Sequence, residues 1–119
     1  MSVIDDQTRM RHMQDAARKA IVFATGKTRA SLEVDDMLAY ALVRTLEIVG
    51  EATSKVSQTF CDQNPQIPWR ASIGMRNQVI HANSQVDLDI VWDTVTYNLP
   101  KLLIELDKLL PPDTESGDA

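Results

Sequence analysis

Apolar residues recur in this chain at steps of three and four. Met10, Met13, Ala17, Ala20 and Ala24 do so between Asp5 and Ala24, and Leu38, Leu42, Leu46, Val49 and Val56 do so between about Asp35 and Ser57. Such spacing puts each set on one side of a helix and leaves a polar face for solvent. Met37, Ala41 and Ile48 widen the second stripe. Composition points the same way: the 44% apolar content is mainly Ala, Leu, Val, Ile and Met, aromatics are 5%, and four glycines and five prolines are too few for a turn-rich β domain. At 119 residues the chain has room for one core and needs no staple.

Punctuation divides the chain into four helices. Gly26 follows the first stripe, where a left-handed residue ends a helix. Asp35 and Asp36 open the second helix, at the end where the helix dipole favours acids. The segment CDQNPQIP, broken by Pro65 and Pro68, reads as a loop. Pro68 then suits the first turn of a third helix, PWRASIGMRNQVIHA. Asp87 is the expected N-cap of a fourth helix running to about Leu110. Pro100 falls inside it and removes the bond to the Thr96 carbonyl, so a kink is expected there. The fold class is therefore all-α: an antiparallel bundle of four main helices in a single domain over residues 1–110. Residues 111–119, PPDTESGDA, read as a disordered acidic tail, and no internal repeat is present.

Several kinds of chemistry are excluded. Cys61 is the single cysteine, so neither an intrachain disulfide nor a cysteine zinc site is possible, and a half-buried thiol is the expectation. The start carries acids where a secretory signal needs basic residues, and AIVFA is too short to cross a bilayer; a cytoplasmic protein without membrane contact is expected. His12 and His81 lie on different helices without metal-ligand spacing, and Asp87, Asp89 and Asp93 read as first-turn acids, so no metal or other cofactor is expected. GKT at Gly26–Thr28 lacks the earlier glycine of a phosphate loop, because Ile21 stands in its place. The net charge of −5 argues against a basic field over the whole surface, but residues 1–30 carry +3 and the remainder −8. A local basic face on the first helix is thus available. His12, in RMRHM, reads as a surface residue beside the apolar stripe.

The segment GMRNQVIHAN carries Arg76, Asn77 and His81. Arg clamps a phosphate, His moves protons near neutral pH, and a carboxamide orients an oxygen, which together suit phosphodiester chemistry. On a straight helix Asn77 and His81 share a face, whereas Arg76 and His81 stand about 140° apart. Arg76 and His81 meet only if the long Arg wraps round, the helix end loosens, or a second chain contributes across a cleft. Taken bare, the spacing is common, and a surface Arg with a hydrogen-bonded, half-buried His also accounts for it.

The stretch from IPWRASIGMRNQVIHANSQVDLDIVWDTVTYNLP to KLLIELDKLL, with ALVRTLEIVGEATSKVS upstream, resembles the HepT-like branch of the HEPN superfamily over about residues 5–110. Members are the toxin halves of HepT–MNT toxin–antitoxin pairs. The resemblance implies a helical fold, a two-fold homodimer whose paired motifs line one cleft, metal-independent endoribonuclease action on RNA, and an MNT nucleotidyltransferase antitoxin as partner. By position, Arg76 and His81 are the family's motif residues and Asn77 its usual polar neighbour, the three expected catalytic residues. The family often places a tyrosine two residues after the His, as acceptor of AMP from the antitoxin; Asn83 stands there, so no AMP acceptor is expected. The rival reading is a non-catalytic helical module that holds a nucleotidyltransferase, nucleotide or RNA.

Overall fold

A computed structural model of the chain describes residues 5–79 and 86–110. Helix α1 is Asp6–Ala24, α2 Ser31–Val34, α3 Asp36–Ser54, α4 Gln58–Gln63 and α5 Trp69–Val79. A final rod consists of α6 (Leu88–Asp93), a π-helical segment over Thr94–Asn98, and α7 (Leu99–Leu109). Strands are absent among the described residues, and the all-α bundle read from the spacing is the architecture observed.

The helix starts follow from their caps. Asp5 accepts from the Thr8 amide at 3.0 Å, Asp35 from Leu38 at 3.1 Å, and Asp87 from Asp89 and Ile90 at 3.0 and 3.2 Å. Each satisfies amides that have no intrahelical partner. Past the end of α1, Gly26 takes φ +78°, the left-handed conformation that a side chain disfavours.

Polar ties set the helix directions. The Ser57 amide and hydroxyl both donate to the Asp6 carboxylate, at 2.8 and 2.7 Å, which places the start of α1 beside the end of α3. Gln14 donates through Nε2 to Asp107 and to the Leu110 carbonyl, both at 2.9 Å, while Arg29 reaches Asp89 at 2.7 Å. Hence α1 runs antiparallel both to α3 and to the final rod. Between them Met10, Met13, Leu42, Leu46, Val49, Leu99, Leu102 and Leu106 are buried without exposed surface or nearly so.

Four details depart from the expectations. Ser57 does not end the second helix: α3 stops at Ser54, and the Ser57 hydroxyl caps a new one by accepting from the Phe60 amide at 3.2 Å. The expected loop at CDQNPQIP therefore begins as helix α4, which Asn64 closes by donating to the Phe60 carbonyl at 2.9 Å. The short helix α2 was not foreseen in the polar stretch after Gly26; it buries Leu32. Met37, assigned to the apolar stripe, is 82% exposed: it stands five residues before Leu42, about 140° round the helix, on the outward face with Tyr40, while its neighbours Leu38 and Ala39 are buried. At Pro100 the rod continues, and the missing amide is accommodated by the π-helical segment, in which Leu99 N–H reaches back five residues to the Thr94 carbonyl.

Candidate active site

Helix α5 carries the motif, and its position is set from both ends. At its start, the Trp69 indole N–H donates to the Asn64 carbonyl at 2.9 Å, and the ring meets Phe60 edge-on with centroids 6.2 Å apart. Buried Ile67, Ser72 and Met75 fasten the helix to the core. At the Arg76 level α5 lies almost against the backbone of α3. A β-carbon built on Gly50 would stand 2.8 Å from both the Arg76 Cβ and the Arg76 backbone nitrogen. Only glycine permits that approach.

This closeness delivers the Arg76 guanidinium to the last turns of α3. Its Nη1 donates to Glu51 Oε1 and lies 3.4 Å from Ser54 Oγ. The other Glu51 oxygen pairs with Lys55 Nζ at 3.3 Å. One carboxylate thus sits between two cations, and hydrogen bonds first from Lys55 and then from Arg76 hold its pKa below the ordinary 4.5. The Arg76 side chain is 36% exposed, so the guanidinium is held by Glu51 while the side chain keeps contact with solvent. Exposed ion pairs of this kind contribute little to stability, and their effect here is orientation.

Of the residues expected to act, the structure places Arg76. Asn77 lies on α5. Its side chain, together with His81 and Asn83, is outside the described residues. Gly50, Glu51 and Ser54 were missed. They stand 22 to 26 residues before Arg76, and no local spacing signals a contact across that distance. Tyr40 and Tyr97 lie on elements other than α5. Tyr40 lies about 15 Å along α3 from Gly50 at 1.5 Å per residue, and Tyr97 is on the π-helical segment under Lys101, whose ammonium is 3.9 Å from the ring centre.

Cys61 is half-buried, as expected, and lines a concavity of about 560 Å³ between α4 and α5. Burial pushes its thiol pKa up, and the charges of Asp6 and Asp62 add to this, which keeps it protonated and unreactive. No grouping of His, Cys, Asp and Glu suited to a metal ion occurs among the described residues. Nor, among them, is any helix long and apolar enough to cross a membrane.

Comparison with known proteins gives one family. HepT-like, described as ribonuclease HepT-like, matches residues 13–109. A protein of Thermococcus cleftensis provisionally named ribonuclease HepT is 39% identical over 75 residues, covering 63% of this chain and 68% of that one. A protein of Methanocaldococcus jannaschii provisionally named as an RNase is 37% identical over 81 residues, 68% of this chain and 66% of its own. One of Caldanaerobacter subterraneus, also provisionally named an RNase, is 34% identical over 76 residues, 64% and 68% of the two chains. The chain thus spans about two thirds of the length of the curated relatives it matches. No solved structure matches it.

Proposed function

The chain belongs to the ribonuclease HepT-like family, and on that premise we propose that it is a metal-independent endoribonuclease, the toxin half of a toxin–antitoxin pair that an MNT-type nucleotidyltransferase neutralises. The carrying observation is the Arg76 guanidinium, held across Gly50 by Glu51 and Ser54 on a side chain that keeps contact with solvent. A group so oriented matches the task of stabilising charge on a pentacoordinate phosphorus during attack by the neighbouring 2′-hydroxyl. His81 is the proton carrier in this reading, taking the 2′-OH proton or delivering one to the departing 5′ oxygen, and Asn77 orients it or the phosphate. The nucleophile belongs to the substrate, so side-chain acid–base and electrostatic catalysis account for the reaction.

The working unit in this reading is a homodimer. Arg76 and His81 diverge by about 140° on a straight helix, and a cleft shared by two chains supplies both groups. The tail 111–119, read from sequence as disordered, lies outside the described residues. Purified protein and the His81→Ala variant, incubated with total RNA with and without chelator, test the proposal. Fragments from wild type alone, undiminished by chelator, are expected. Loss of cleavage on chelation refutes metal independence, and no cleavage by either protein favours the non-catalytic module.

A further inference from the structure

Next to the Arg76 contact, a furrow of about 200 Å³ runs between α1 and α3, lined by Arg9 and His12 on one side and by Arg44, Glu51 and Lys55 on the other. The antiparallel crossing of the two helices brings these residues together, since the start of α1 lies beside the end of α3. Arg44, Glu51 and Lys55 are spaced by seven and four, and Arg9 and His12 by three, so each set shares a helix face. Glu51 is common to the furrow and to the Arg76 contact.

Two observations mark the furrow as an anion site. The first is charge: Arg9, Arg44, Lys55 and Arg76 face two acids, Glu51 and Glu47, the latter 3.5 Å from Arg44. That is a local surplus of two positive charges, before His12 is counted, in a chain of net charge −5. The second is an unmet donor. Arg9 Nε has no acceptor among the described residues, and because it is shielded as the side chain now lies, the Arg9 side chain must turn to offer it to a ligand in the furrow. Buried N–H groups almost always have a partner, and leaving one unpaired is unfavourable. The furrow is smaller than the roughly 300–1,000 Å³ of a drug-sized ligand's pocket and suits a phosphate group with part of its sugar.

We propose that this furrow is a second phosphate subsite, which grips the backbone of single-stranded RNA beside the phosphate that Arg76 faces. It rests on the ribonuclease reading for the nature of the anion. Arg9 and Arg44 supply the contacts, and Lys55 stands where the furrow joins the Arg76 site.

The test is fluorescence anisotropy on the full chain with a short, labelled 2′-O-methyl oligoribonucleotide, titrated across a range of salt. Each phosphate contact on a single strand contributes about 0.7 to the slope of log K against log salt. The double variant Arg9→Gln/Arg44→Gln removes the furrow's one phosphate contact, so it should lose about 0.7 from the slope and bind several-fold more weakly at about 0.1 M salt. Glu47→Gln, which removes the counter-charge from Arg44, should bind more tightly than wild type; this gain does not arise from misfolding. An unchanged slope and affinity in a folded double variant overturns the proposal, as does wild type that fails to bind. Unchanged RNA binding with an altered oligomeric mass would make the furrow a contact between chains, and also overturns it. The probe cannot be cut by 2′-hydroxyl attack, so an inactive enzyme that still binds with the expected slope refutes the ribonuclease reading and leaves the subsite standing.

Discussion

Replacing Gly50 with alanine tests whether the α3–α5 contact sets the position of Arg76. The added β-carbon would meet the Arg76 backbone nitrogen and Cβ at 2.8 Å and its Cγ at 3.1 Å. Carbon contacts are comfortable from about 3.5 Å, so α5 must move outward by about 0.7 Å. Backbone cannot turn aside as a flexible side-chain end does. Overpacking of this kind costs about 1–3 kcal/mol, and alanine returns about 1 kcal/mol of helix propensity, for a net loss of about 0–2 kcal/mol. The effect on cleavage should be larger than the effect on stability. A displacement approaching 1 Å of a group that contacts the transition state lowers rates by as much as about 100-fold. Gly74→Ala is the control, because a β-carbon there meets nothing within 4 Å; it should gain up to about 1 kcal/mol and keep its activity. Thermal melts followed by circular dichroism, with initial rates on RNA, give both quantities. A Gly50→Ala variant as stable and as active as wild type would refute the close approach and the role assigned to it.

Three further outcomes are expected. The Glu51 carboxyl pKa is depressed, so the pairing with Lys55 and Arg76 persists above the ordinary 4.5 and is lost only as pH falls through the lower folded value; Glu51→Gln should lower the cleavage rate without moving any limb of its pH profile between pH 5 and 8, and a shifted limb would make Glu51 a proton carrier. Gln14 is 3% exposed and joins α1 to Asp107 and the Leu110 carbonyl, so Gln14→Leu should leave that carbonyl unpaired and destabilise the fold by about 1–3 kcal/mol in urea unfolding, with an unchanged midpoint refuting the tie. After co-expression with a nucleotidyltransferase partner and ATP, intact mass spectrometry should show an unmodified chain, since the carboxamide of Asn83 is a poor nucleophile; an AMP increment mapped to Ser84 would overturn this.

The long helices were legible because burial in a bundle leaves a periodic record. Met10, Met13, Ala17, Ala20 and Ala24 are all buried, as their spacing requires, and the acids expected to open helices at Asp35 and Asp87 do cap them. What the spacing hid is short or non-local. Helices α2 and α4 have four and six residues, too few for a period to declare itself, and α4 depends on a serine cap and an aromatic contact with Trp69. Met37, assigned to the stripe, stands about 140° round the helix from Leu42 and faces solvent beside Tyr40: an apolar residue that widens a stripe too far leaves the covered face. Arg76 stood out through its motif. Its supports on α3 did not, since glycine and glutamate on a helix are unremarkable until the fold sets them against α5.

The charge distribution constrains how such a chain would meet RNA. At net charge −5 the bulk of the surface repels a polyanion, so productive contact has to come from cations concentrated in one place. Arg9, Arg44, Lys55 and Arg76 are so concentrated, but their charge is partly countered by Glu51 and Glu47. That arrangement has a kinetic consequence. A carboxylate in an exposed pair is an exchangeable ligand: it keeps the guanidinium and the ammonium oriented while the site is empty, and a phosphate offering equivalent oxygens can take its place without long side chains having to be reordered. Replacing Glu51 by alanine would leave both cations unoriented, whereas glutamine retains an acceptor for Arg76 while removing the competing charge. The two variants should therefore separate in RNA binding, with glutamine tighter than alanine. Equal binding by both would mean that Glu51 acts through its charge alone and does not hold Arg76 in place.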